Sequence, residues 1–249
     1  MPRIAKAYIA LMICSGATVL LLAAGSWSSF SPRQFAIFLG LAAISSTMKI
    51  RIPGIEGTMS PNFVFVVLGM AVCSFSEVVA ITLGAAMVQS LWTAKQLRLV
   101  QVAFSAAALV LSATLARQFA FLLFGPNAIN SPVALVIFAG CVYLSLNTAF
   151  VSAVIGLVEG KPVAQVASIC YEGVLPYFMG GIIFAGLISG SFSRSTLWNG
   201  AMALLPVVIL GYVYALNRKT LITLTLPQSA LVEDEELVEV GAELLRPRR

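Results

Sequence analysis

Apolar residues in this chain come in long blocks, and the polar residues between the blocks are mostly turn and cap formers. The first block follows Arg3 and Lys6 and runs to about Gly25. Small residues near 23–26 resemble a signal-peptide cleavage site, but the run is long for a signal core and is read as a retained first transmembrane helix. Ser31-Pro32 offers a cap and a first-turn proline for a second segment ending near Met48. Two short apolar runs follow, 61–75 and 77–92, joined by almost nothing. Ser60-Pro61 is spaced to start the first of them. Ser74 and Glu77 have the spacing of a capping box, which starts the second run as soon as the first ends. Ahead of this pair, Ile50, Ile52 and Pro53-Gly54 predict an extended, tight-turning segment at the membrane surface.

The pattern continues with a fifth block over about 100–124, broken by Gly125-Pro126-Asn127, and a sixth from Ser131-Pro132 to Val158. Glu159-Gly160-Lys161-Pro162 is a polar turn. Residues 163–172 are less apolar, with Val163, Val166, Ala167 and Cys170 on one face, and predict a separate interfacial helix. A glycine-rich seventh block covers 174–189. An eighth covers 196–216, with Pro206 placed to kink it, and stops at Asn217-Arg218-Lys219. Gly186 and Gly190 have GxxxG spacing and are expected to let helices approach inside the bundle. The remainder is polar and acidic: an extended stretch at 220–226, then a helical candidate at 232–245.

Composition makes these blocks membrane segments. Of 249 residues 59% are hydrophobic and 10% charged, with mean hydropathy +0.97, where soluble domains carry roughly 25% charged residues. The predicted fold class is all-α: a polytopic integral membrane helix bundle over 1–219 with about eight apolar segments, followed by a polar acidic cytoplasmic tail over 220–249. Segments two to four hold only about 15 residues each, roughly 23 Å of helix against a ~30 Å hydrocarbon core. Six full crossings is therefore the alternative count, and some short segments are expected to be re-entrant.

Charge orients the bundle. With the N-terminus inside and eight crossings, Arg3, Lys6, Lys49, Arg51, Lys95, Arg98, Lys161, Arg218, Lys219, Arg246, Arg248 and Arg249 are cytoplasmic, twelve of the fifteen basic residues. Arg33 and Arg194 fall outside, and Arg117 lies within a segment. This is the positive-inside bias, and it places both termini in the cytoplasm and the chain in a cell inner membrane. Six of the ten acids lie between Glu233 and Glu243. No basic face is interleaved with exposed aromatics, so nucleic acid is not an expected partner.

Chemistry is sparse. Histidine is absent, and Cys14, Cys73, Cys141 and Cys170 lack CxxC spacing and sit in or beside apolar runs, as small buried hydrophobes do. No nucleophile–base pair, metal spacing, phosphate-cradling loop or paired carboxylates occur, so no enzyme activity, metal or cofactor is expected. Ionisable groups within a bilayer are functional candidates. Glu77 opens the fourth segment at the outer side, and Arg117 lies about two turns from the outer end of the fifth, so the two are placed to pair. The competing reading has Glu77 capping a helix and Arg117 snorkelling to the surface. Asn147, within LSLNTAF, is a candidate for a bond across helices or a ligand contact. Asn62 belongs to the polar cluster at 57–62, where turn and cap chemistry competes with ligand binding.

The runs KIRIPGIEGTMSPNFVFVVLG, SEVVAITLGAAMVQSLW, VQVAFSAAALVLS, LNTAFVSAVIGLVEGK and CYEGVLPYFMGGIIFAGLI occur in an order that resembles the multi-pass membrane input domain preceding cyclic di-GMP output domains (GGDEF or HD-GYP) in bacterial signalling proteins. The chain is also similar to the substrate-binding S components of energy-coupling-factor transporters. The resemblance covers roughly 35–215. It departs from the signalling proteins after Arg218-Lys219, where only about 30 residues follow and neither output motif occurs. The resemblance therefore implies a non-catalytic sensor half without cyclase or phosphodiesterase activity, relaying to a separate cytoplasmic signalling enzyme. The alternative it implies is a transporter subunit needing an energising partner. The expected partners are the lipid bilayer and a small apolar or amphipathic ligand entering between short helices, with Glu77, Arg117, Asn147 and Asn62 as candidate contacts.

Overall fold

Caps and prolines set several of the boundaries. The structure, a computed structural model, describes residues 1–28, 31–51, 58–92, 98–124 and 132–191. These form α1 (Arg3–Gly25), α2 (Pro32–Ser46), the two-residue strands β1 (Ile50–Arg51) and β2 (Thr58–Met59), α3 (Phe63–Val72), α4 (Phe75–Leu91), α5 (Leu99–Phe124), α6 (Pro132–Glu159) and α7 (Val163–Ser191). Ser31 accepts from Gln34 N ahead of Pro32, as the sequence predicts. The strands pair antiparallel, Ile50 with Met59 and Arg51 with Thr58. The extended segment thus forms, although Pro53-Gly54 lies outside the described residues.

The fold is helical, and α1, α5 and α6 are long and apolar enough to cross a membrane. Neighbour contacts give the directions. Gly16 lies against Ala107 and Tyr8 against Phe104, so α1 and α5 run parallel. Phe124 meets Phe138 while Phe104 and Phe150 share a cluster, so α6 returns antiparallel. Gly140 against Ile182 and Gly186 against Ile137 make α7 antiparallel to α6. Gly186 thus serves close packing within the bundle. Leu39 against Gly84 and Lys49 on the Trp92 carbonyl make α2 parallel to α4.

α3 is the centre of the packing. It has ten residues, and Phe63 through Met70 are all buried. A helix that is apolar on every side must be surrounded, and α2, α4, α5, α6 and α7 all pack on it. Its roughly 15 Å length is half a bilayer core, and protein rather than lipid covers it.

Two boundary expectations are corrected. Ser60-Pro61 does not cap α3: the N-cap position is Asn62, and no side chain caps it. Ser60 Oγ instead donates to Ser46 O, 3.2 Å away, tying this entry to the end of α2. The separate interfacial helix at 163–172 does not exist either, because α7 is continuous from Val163 to Ser191. The reason is packing. Val166 and Cys170 begin a buried stripe that continues through Phe178, Ile182, Ala185 and Ile188, so the Val166–Cys170 part of this apolar face turns inward while Val163 stays exposed. Gly160, at φ 69°, makes the turn that lays α7 back on α6. The eighth segment with Pro206, the tail, and the predicted break at 125–127 lie outside the described residues.

Candidate functional site

The α3–α4 junction is two residues of extended backbone, Cys73 (φ −106°, ψ 159°) and Ser74 (φ −65°, ψ 166°), between helices that need caps. The predicted capping box forms: Ser74 Oγ accepts from Glu77 N at 3.3 Å, and Glu77 Oε2 accepts from Ser74 N at 2.8 Å. Glu77 is fully buried. From α5, Arg117 Nη2 donates to Cys73 O at 3.4 Å. Cys73 O and Ser74 N belong to one peptide unit. The guanidinium therefore holds the carbonyl end of an amide whose N–H end is held by the carboxylate.

This arrangement has a clear electrostatic logic. Arg117 stands at the C-terminal, negative end of α3, and Glu77 at the N-terminal, positive end of α4. Two buried helix ends meet without a loop, and each is matched by a charge. The end of α1 closes over the junction: Ser76 Oγ donates to Ser26 O at 3.1 Å, and Ser74 Oγ donates to Ser28 O. The guanidinium also lies 4.5 Å over the Phe121 ring, a favourable cation–π placement.

Arg117 is not fully used. Its Nε is buried without a hydrogen-bond partner, as is Thr114 Oγ1 on the same helix. Thr82 and Ser112 return their hydroxyls to the carbonyl four residues back, at 2.8 and 2.7 Å; Thr114 does not. An unpaired buried donor costs about 1–3 kcal/mol, so these two atoms mark a place suited to an acceptor.

Asn62 lies at the opposite end of α3. Its Nδ2 donates to Ser46 Oγ at 2.9 Å and to Gln89 Oε1 at 3.0 Å, joining the ends of α2, α3 and α4. Lys49 Nζ donates to the Trp92 carbonyl, 2.6 Å away, at the end of α4. Asn147 is half-buried on α6, and no side-chain hydrogen bond across helices reaches it among the described residues. Of the four candidates, the structure brings Glu77 and Arg117 to one peptide, places Asn62 at the other end of the same hairpin, and leaves Asn147 apart.

Sequence reading did not single out Thr114, Ser46 or Gln89. Ser46 and Gln89 sit at helix ends, but their shared partner is 16 and 27 residues away from them. A threonine in an apolar helix carries no local sign that its hydroxyl is unpaired. No family model, curated protein or solved structure matches the chain.

Proposed function

We infer that this chain is a non-catalytic, multi-pass bundle of a bacterial inner membrane that binds a small apolar or amphipathic ligand and relays its presence to a separate cytoplasmic partner. The observation that carries the reading is α3, a short helix buried on all sides and held by polar clamps at both ends. A ligand that shifts one clamp acts on a rod whose other end is the Asn62–Ser46–Gln89 network. Arg117 Nε and Thr114 Oγ1, with Ser152 Oγ and Tyr177 OH, are the buried side-chain atoms without a hydrogen-bond partner among the described residues; the first two share one face of α5, and ligand binding would give them a partner.

The charge bias supports both termini and the Asn62 end of the hairpin on the cytoplasmic side, with eight crossings or six. A partner then reads the face that carries Lys49, Arg98 and Lys161.

Affinity purification of the full chain from native membranes tests this, with identification of co-purifying proteins and bound small molecules. A signalling enzyme together with a bound amphipathic molecule is the expected result. An ATPase-coupled membrane subunit in its place would move the chain to the transporter class. A bundle that carries neither partner nor small molecule overturns the reading.

A further inference from the structure

The stripe Val110, Thr114, Arg117 and Phe121 runs along one face of α5 at spacings of four, three and four residues, which on a helix makes each the neighbour of the next. Val110 packs against Ala23 of α1 and Val79 of α4. Arg117 reaches the α3–α4 junction, and Phe121 lies under its guanidinium. Thr114 is thus set between a dry three-helix contact and a cation. Its hydroxyl and the Arg117 Nε–H are two buried donors without acceptors on one helix face.

The donors fix the chemistry of what fits. An Nε–H with its adjacent Nη is one edge of the guanidinium fork, and that edge matches the two oxygens of a carboxylate or phosphate. The single bond Arg117 now makes, 3.4 Å to a backbone carbonyl, is long for a charge-assisted contact. Glu77 does not take the place of such an anion on the free Nε, which has no partner. Its Oε2 is held by Ser74 N–H at the start of α4. Phe119, Leu122 and Leu123 are exposed on the opposite face of α5, so lipid meets that face of the helix and the Arg117 face turns toward the α3–α4 junction.

We propose that Arg117 and Thr114 form the head-group site for the oxyanion of an amphipathic ligand, with Phe121 flanking it. This rests on the ligand-binding reading above and names the ligand's chemical class. Carboxylate and phosphate heads share the chemistry, and they come from two sources: a free fatty acid or a phospholipid. Occupancy by such an oxyanion competes with Cys73 O for the guanidinium, so binding loosens the α3–α4 clamp from the Arg117 side.

The test uses the full-length protein in an uncharged detergent, titrated separately with oleate and with phosphatidylglycerol, reading bound ligand by native mass spectrometry and protection by thermal unfolding. Wild type is compared with Arg117→Lys, which keeps the charge but loses the fork, and with Thr114→Val, which keeps the shape but loses the donor. The expected result is binding of at least one of the two, weakened tenfold or more by Arg117→Lys and two- to tenfold by Thr114→Val. Dependence confined to the oleate arm identifies a fatty-acid site, and dependence in the phosphatidylglycerol arm a lipid head-group site. No binding by wild type in either arm, or binding that both variants leave unchanged, overturns the proposal. If a small molecule still co-purifies from native membranes in that case, the ligand-binding reading stands and Arg117 is not its site.

Discussion

Asn62 shows how a polar side chain becomes structural. Both hydrogen bonds it makes are donated by its amide nitrogen, and one acceptor, Ser46 Oγ, already spends its own proton on Ala42 O at 2.7 Å. An added acceptor at this place meets two oxygens, and of these partners only the Gln89 amide can turn to donate to it. Asn62→Asp is therefore expected to destabilise the bundle more than Asn62→Ala, although aspartate is nearly the same shape as asparagine. Loss of the buried bonds alone predicts about 1–3 kcal/mol for the alanine variant. Thermal unfolding of both variants in detergent checks the order, and a more stable aspartate variant would contradict it. Glu77 differs in what its sequence discloses. Its bonds to Ser74 span three residues, so the capping box is legible from spacing alone. Arg117 meets Cys73 across 44 residues, and no local pattern carries that contact.

Among the elements, α7 and α3 show close packing most directly. Phe63 stacks on Phe178 with ring centroids 3.9 Å apart, and the tip of its ring lies where a side chain at Gly181 would go. A Cβ added at Gly181 would stand 2.7 Å from Phe63 Cε2, and the stacked ring has little room to retreat. Gly180, one residue earlier, faces open space. Gly181→Ala is expected to cost about 1–3 kcal/mol through overpacking. Gly180→Ala is expected to be neutral or to stabilise by up to about 1 kcal/mol, since alanine is the better helix former. Paired unfolding curves decide this, and equal effects at the two positions would remove the close approach as the reason for glycine. The merging of 163–172 into α7 follows the same logic: the apolar face suits an interface in isolation, but the buried stripe from Val166 to Ile188 gives it a better partner.

For the described helices, packing decides which segments need lipid, and the charge bias is what the proposed orientation rests on. Lys and Arg at the loop ends predict both termini in the cytoplasm. Reporter fusions after Asn127 and at Arg249 are expected to report opposite sides of the membrane; a periplasmic signal from the Arg249 fusion would overturn this orientation. The short helices resolve an apparent contradiction. A ten-residue helix cannot cross ~30 Å of hydrocarbon by itself, but α3 has no lipid-facing side to match, because five helices surround it.

The sequence by itself determined what depends on short range and on composition. Helical blocks, the Ser31 and Ser74–Glu77 caps, the extended backbone at Ile50–Arg51 before the hairpin, and three helices apolar enough for a membrane all follow from local spacing or from apolar content. Only the tertiary structure decided that Arg117 and Glu77 hold the two ends of one peptide, that Asn62 joins three helices, and that Thr114 keeps an unpaired hydroxyl. The physical reason is range. A cap is satisfied within one turn, whereas a buried donor is satisfied or left waiting by whichever distant backbone the packing brings beside it.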